Sequence, residues 1–466
     1  VPKKAVATFF LLAFIGATIY VYITFPRTKD EIPKSNNQRP FPTEPAPAPE
    51  PQNPPIPETV PHPDTPKVPP GPTLRIMAWA SSDEAKVLTA EADQFAHDTG
   101  RQTSLQIDDD ADTYHRDLTA ALASNEPPDV LLVSARDFSG VDPTQDLADV
   151  DPLPGSAPRS IAAFTVGSSV KAVPDEFSAD VLFYNPAYFD QACIAYPGPH
   201  WTWDILEADA RAMGSLKIKD PSGQAIFPLE LPADFDFWNI LCTATGHPAL
   251  DLGVWHLAGG TDNDTRESQL RALDLIQEIF TTLSVTAPPP KVSEPAGRLF
   301  AAQRAALLIA PSSLAVRLPA FRFAFTLLPR DLYNASLAQV NGWAVTAASK
   351  QGDAAHILAA YLAWQPVHAG WSGVKKPDDD DSPAGICYAA LNQAVLPRVE
   401  PKTAPFAQYL DQQINQLARD GKQKTDALYA RIQTQYSATT GVSLAAPNAS
   451  AGPKTDAGAG AQLRGL

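Results

Sequence analysis

The chain has 466 residues, 44% of them apolar, enough for about three domains at ~150 residues each or one large two-lobed body. Its formal net charge is -16, with 36 basic against 52 acidic residues, which argues against a nucleic-acid partner because such a partner demands cations to displace phosphate counterions. Three cysteines, Cys193, Cys242 and Cys387, allow at most one internal disulfide, and the lack of a CxxC pair excludes a zinc ribbon or a dithiol redox motif.

Ala5 to Phe25 carries no charge over 21 residues. At 1.5 Å per residue a helix of that length spans ~31 Å, which matches a hydrocarbon core of ~30 Å. The run predicts an uncleaved single-pass anchor over 1–25, with the short N-terminal end in the cytoplasm and the main domain outside a bacterial cell membrane. A cleaved signal peptide is the competing reading, but Ile15-Gly16-Ala17 is a poor cleavage pattern and the apolar run continues past it. No Cys follows that would carry a lipid. Residues 26–73 form a proline-rich linker, since 26–72 alone hold 17 of the 47 prolines. Such a segment favours polyproline II, a semi-rigid spacer of ~3.1 Å per residue; a proline-rich ligand for a partner domain is the alternative. Ser437 to Leu466, rich in Ala, Gly, Ser and Thr, reads as a disordered tail.

Between these ends, Leu74–Trp79 reads as a strand. Ser81 and Glu84 then form a capping box, and Leu88, Ala92 and Phe95 share a helix face that Gly100 stops. Thr103–Ile107 is a second strand, Tyr114–Ala123 a helix, and Pro128–Val133 a buried parallel strand. This β-α-β-α-β order predicts a parallel sheet with ligands beyond the carboxyl ends of its strands, after Trp79 and after Val133. Further on, Val181–Tyr184, Ala305–Ala310 and Ala320–Leu328 read as strands. Helices are expected around Trp203–Met213, Leu270–Phe280, Ala354–Trp364 and Thr403–Tyr436.

The order of these pieces resembles the family 1 extracellular solute-binding proteins, the sugar-binding receptors of ABC importers. Five segments carry the likeness. They are Trp79 in the opening unit through Thr99-Gly100; Tyr114 and Leu118 through Pro128-Asp129-Val130; Ala172-Val173-Pro174 with Val181–Asn185, Tyr188-Phe189 and Trp201–Asp204; Phe300 and Gln303–Ala306 with Ala310–Ser313; and Asn341–Thr346 with Ser349-Lys350. Gln303-Arg304 stands where the family has Gly-Lys, and 371–388 does not match it. The resemblance implies an α/β, type II-like periplasmic-binding-protein fold of two lobes. Lobe 1 would hold 74–172 plus 311–338 and lobe 2 173–310 plus 339–436. The hinge would lie near Val173-Pro174, Ala310-Pro311 and Gly342, with a sugar-like solute in the interlobe cleft, a possible ABC permease as partner, no cofactor and no catalysis. The alternative is a membrane-tethered sensor or scaffold on the same fold with an altered or lost ligand site.

A sugar presents an apolar face and a rim of hydroxyls, so flat aromatic rings and a few polar side chains are expected around it. Trp79 and Trp343, at strand ends, are the leading stacking platforms and Trp238 is third; core packing is the competing role for each. Ser82 and Asp83 at the first helix start, Ser134 and Arg136 after the third strand, and Ser312 are the polar candidates. No GxSxG elbow, HExxH pair or P-loop occurs. Asp108, Asp110 and Asp112 begin like a calcium loop, but Thr113 and Thr119 occupy its Gly and Glu positions, so no metal site is expected.

Overall fold

In a computed structural model, the structure describes residues 67–444 apart from 260–261, 283–284, 290–296, 365–370, 373–376 and 378. The expected anchor at 5–25, most of the linker and the tail from 445 onward lie outside the described residues. Among those described, no helix is long and apolar enough to cross a membrane. The last linker residues lie against the fold, where the Arg101 guanidinium donates to the Pro69 carbonyl at 2.6 Å.

The opening unit follows its sequence pattern. Strand β1 (Leu74–Trp79) leads to α1 (Ser82–Thr99), then β2 (Thr103–Asp108), α2 (Ala111–Leu122) and β3 (Val130–Ser134). β1 pairs in parallel with β2 and β3. The Glu84 carboxylate accepts from the Ser81 N–H at 2.8 Å, closing the N-terminal side of the capping box. Gly100 closes α1 in the left-handed region with φ 71°, donating to the Ala96 carbonyl. Val130 to Val133 are all buried, as a strand covered on both faces requires.

The next elements are α3 (Pro158–Phe164), β4 (Val173–Tyr184), α4 (Pro186–Ala192), α5 (Trp203–Leu216), β5 (Phe227–Glu230), α6 (Phe235–Ala244) and α7 (Asn263–Gln277). They are followed by α8 (Arg298–Ala301), β6 (Ala305–Pro311), β7 (Ala324–Thr326), β8 (Ser336–Val345), α9 (Gly352–Leu362), β9 (Trp371–Ser372), α10 (Pro383–Asn392), β10 (Ala394–Val395), α11 (Ala404–Asp420) and α12 (Thr425–Thr440). One ten-stranded sheet runs in the order β2-β1-β3-β8-β4-β6-β5, with β7 and β9 also on β4 and β10 on β8.

One strand, β4, joins the halves of this sheet. β4 is antiparallel to β8 from Val173 to Ala179 and then to β6 from Asp180 to Tyr184. The change of partner falls between Ala179 and Asp180, opposite Pro311. Ala310-Pro311 lies at this change of partner, and Val173-Pro174 and Gly342 lie deeper in the first half. Gly342 pairs with Val133 and Pro174 at a register shift. A Cβ there would meet the Val173 carbonyl at 2.6 Å, so glycine is required by close backbone approach.

The core has three parts. Leu88 and Phe95 of α1 and Leu358 and Leu362 of α9 cover one face of the first half, with Trp343 between them. Tyr114, Phe164, Phe177, Phe183 and Leu391 lie along the other face, which continues into the second half. Trp203, Leu206 and Met213 of α5 join Trp238, Ile276, Leu410 and Tyr429 in the second half. Residues 341–345 pair with β3 and α9 packs in the α1 core, so this stretch sides with the first half. β7 pairs with the second-half end of β4, and the Arg330 N–H donates to the Trp201 carbonyl at 2.9 Å, so 324–330 side with the second. The final helix extends through Thr440 to Gly441, four residues past the expected start of the tail.

Candidate functional site

The halves meet where β4 changes partner. There the Ser312 Oγ accepts from the Ala179 N–H at 3.2 Å, and the Ser313 N–H donates to the Ser178 Oγ at 3.0 Å. Beyond the carboxyl end of β3 the chain turns through Ser134, whose Oγ accepts from the Arg136 N–H at 3.3 Å. The Arg136 guanidinium crosses to the N-terminus of α6 and donates both Nη atoms to Asp236, at 2.9 and 3.3 Å. This two-pronged pair is the electrostatic centre of the seam.

Three more carboxyls gather around it. Asp234 caps α6, accepting from the Phe237 N–H at 2.9 Å, and Asp411 of α11 accepts from the Phe235 N–H at 2.8 Å. Asp180, on the crossing strand itself, is 8% exposed. Burial, with Asp236 and Asp234 as like charges, holds the Asp180 carboxyl far above the usual carboxylate range, and Arg136 only partly opposes this. Burial and Asp236 likewise push Asp234 up to about 7, and burial raises Asp411. Burial alone would lower the Arg136 guanidinium, yet Asp236 keeps it above its ordinary value. The arrangement can hold a polar guest through several acceptors and one planar donor. It contains no nucleophile paired with a base.

A strap lies beside the seam. The Arg159 guanidinium donates to both oxygens of Asp251, at 2.7 and 2.8 Å, and to the Ala394 carbonyl at 2.9 Å. Asp251 also accepts from the Leu396 N–H at 2.8 Å, and the Arg136 carbonyl accepts from the Val399 N–H at 2.7 Å. Arg398 sits over the Phe138 ring, 5.1 Å from its centroid, and donates to the Ala163 carbonyl at 2.6 Å. Residues 394–399 thus bind first-half and second-half groups together.

The sequence model of the bacterial extracellular solute-binding proteins matches residues 79–364, more than half of the chain. The chain belongs to that family. No curated protein matches it. Among solved structures it resembles an ABC substrate-binding protein of Listeria monocytogenes in complex with cycloalternan, at 18% identity and TM-score 0.63, over 79% of this chain and 100% of that one. The GacH receptor of Streptomyces glaucescens, solved unliganded and with acarbose, is similar at 16% identity and TM-score 0.61, over 80% of this chain and 100% of that one. UgpB of Mycobacterium tuberculosis, in complex with glycerophosphocholine, stands at 16% identity and TM-score 0.61, over 79% of this chain and 98% of that one. These likenesses fix the fold of this solute-binding protein as the mixed α/β, two-lobed one, and the family is one of binding proteins rather than enzymes.

Within the solute-binding protein, the residues expected at the site separate into groups. Arg136, Ser134 and Ser312 lie at the seam. Trp79 is half-buried at the end of β1, its ring centroid 5.1 Å from that of Tyr114. Ser82 and Asp83 are exposed at the start of α1, where Asp83 pairs with Lys86 at 2.7 Å on the surface. Trp238 and Trp343 are both fully buried. The Trp238 Nε1 donates to the Gln269 carbonyl at 3.1 Å inside the second-half core. Trp343 fills the space between the sheet and α9 because its side chain projects to the helix-covered face of β8. Asp180, Asp234, Asp236 and Asp411 were not among the expected site residues. The available signal for Asp180 is a carboxylate within the mostly apolar run Phe177–Tyr184, where Ser178 is the other small polar residue. A separate concavity of about 460 Å³ lies between α5 and α7, lined by Glu207, Arg271 and Arg330 among others, and contains none of the expected residues. All three cysteines are free thiols.

Proposed function

We propose that this solute-binding protein captures a polyhydroxylated solute of the carbohydrate class at the seam between its lobes and hands it to an ABC permease. The observation that carries this reading is the Arg136–Asp236 pair spanning the two halves, with Asp180 and Asp234 beside it. A planar guanidinium and several carboxylate acceptors are the groups that satisfy rows of hydroxyls. The sugar and glycerol-based ligands named for the similar structures support the same class. Residues 5–25 serve as the membrane tether in this reading, supported by their charge-free length, and the proline-rich stretch serves as the spacer. Tethering raises the effective concentration of receptor near a permease.

Calorimetric titration of the full chain with a panel of mono- and oligosaccharides tests the proposal. One or more panel members should bind, and Arg136→Met should weaken that binding by about tenfold or more, equivalent to ~1.4 kcal/mol. A chain that binds no member, or an Arg136→Met variant that binds as well as the natural protein, would overturn it. The strap at 394–399 favours a second reading, a tethered sensor or scaffold on the same fold. Solute-dependent transport by a reconstituted permease separates the two.

A further inference from the structure

We propose that two arginine–carboxylate pairs joining the halves, Arg136–Asp236 at the seam and Arg159–Asp251 beside it, form one lock that opens as a unit, with α6 as its lever and Arg159 as a positioning residue for lobe closure. The inference goes beyond the reading above and does not depend on which solute is bound. Its first ground is the way the second pair spans the halves. Arg159 lies on α3, whose Phe164 ring lies against Gly342 in the first half. Asp251 lies in a two-stranded hairpin at 250–255, whose Leu250 packs in the second-half core. The Arg159 Nη2 donates to both Asp251 oxygens, at 2.7 and 2.8 Å, and the two side chains are 24% and 23% exposed. A pair so far withdrawn from water is unlike the solvated surface pairs that contribute little.

The second ground is the connection between the pairs. Asp236 and Asn239 stand at i and i+3 on α6 and so share one helix face. Asn239 is wholly buried, and its side-chain amide holds the hairpin. Its Nδ2 donates to the Leu250 carbonyl at 2.8 Å, and its Oδ1 accepts from the Ala249 and Leu250 N–H groups at 2.7 and 3.1 Å. Helix α6 therefore carries Asp236 directly and Asp251 through Asn239. The strap makes a second connection. The Leu252 N–H donates to the Leu396 carbonyl at 2.9 Å and the Leu396 N–H to Asp251 at 2.8 Å, while Val399 donates to the Arg136 carbonyl at 2.7 Å. Among these bonds Leu252 stands at φ 49°, a left-handed conformation that a non-glycine residue keeps where its surroundings hold it. Moving α6 away from Arg136 thus pulls on the hairpin, the strap and Arg159 together.

Hydrogen exchange of the full chain, read by mass spectrometry with fragmentation to single amides, tests the lock. Arg159→Met should speed exchange at Leu252, Leu396 and Val399 together, each by about tenfold or more, while Ile76 and Met77 of the β1–β3 pairing keep the rates of the natural protein. Arg136→Met should in return speed Leu252 and Leu396, because coupling between two sites is reciprocal. Asp251→Asn keeps an acceptor for the Leu396 N–H and loses the ion pair; it is the second variant at the hairpin and should release Val399 as Arg159→Met does. Thermal midpoints verify that the variants fold. Val399 held at its natural rate in either Arg159→Met or Asp251→Asn, or Leu252 and Leu396 unmoved in Arg136→Met, overturns the lock and leaves the solute-binding reading standing. Exchange that rises equally at Ile76 and Met77 is global opening and overturns it as well.

Discussion

Replacing Arg136 by Met removes the one cation among the described residues that faces the seam acids, while keeping a side chain of similar length. The side chains of Arg136 and Asp236 are 30% and 25% exposed, so both are substantially withdrawn from water. Breaking a buried pair by removing one partner costs about 3–5 kcal/mol, and the residual exposure here points to the lower end, about 3 kcal/mol. The loss should also depend on pH, with a definite sign. Asp180, Asp234 and Asp411 have folded-state values raised above their ordinary range, and removing Arg136 raises them further. A raised carboxyl binds more protons in the folded chain than in the unfolded one. Its contribution is fully present below the unfolded value near ~3.9 and is lost as pH rises through the folded value. For Asp234 that upper limit is about 7. The deficit of Arg136→Met must therefore be larger at pH 8 than at pH 5. Urea denaturation of both proteins at these two pH values measures it through the transition midpoints and slopes. A deficit under about 0.5 kcal/mol at pH 8, or one of equal size at both pH values, would refute the assignment of Arg136 as the counter-charge of this cluster.

Three further outcomes follow from the same structure. Asp234→Asn keeps a good helix cap but removes the titrating group, so the decline in stability between pH 5 and pH 8 should flatten; an unchanged slope would show that Asp234 does not govern it. Gly342→Ala places a Cβ 2.6 Å from the Val173 carbonyl and 2.7 Å from the Phe164 ring, and should destabilise by about 1–3 kcal/mol. Adding Phe164→Ala should not rescue it, because the carbonyl contact remains, and full recovery of the urea midpoint relative to Phe164→Ala alone would place the clash on the ring only. Trp343→Phe should lower stability by about 1–3 kcal/mol and leave solute affinity within about twofold, since its ring is enclosed in the core; a tenfold loss of affinity would return that ring to the site.

The first half of the fold was legible because each local signal agreed with its tertiary setting. Ser81, Glu84 and Gly100 bound α1 at both ends, and the apolar run at 130–133 matched a doubly covered strand. α6 was missed because Phe235–Ala244 is buried at almost every position and so shows no amphipathic period. Of the Ala320–Leu328 run, only Ala324–Thr326 forms a strand, and it begins where its antiparallel partner β4 ends, at Tyr184. The site was harder to read. Arg136 could be placed from its position after β3, but its partners are remote in sequence: Asp236 lies 100 residues away. Tryptophan is as useful to a core as to a sugar site, and composition cannot distinguish the two uses. Trp238 and Trp343 lie in the core, and the carboxylates near Arg136 come from elements far apart in sequence.

The strap of residues 394–399 bears on kinetics. Parting the lobes means rupturing the Arg159–Asp251 fork and the Arg136–Val399 amide link together, and lifting Arg398 off its aromatic seat. In the proposed reading, entry and escape of a guest at the seam would share one gating barrier, with slow release and co-purification of a bound molecule from the host as the expected behaviour.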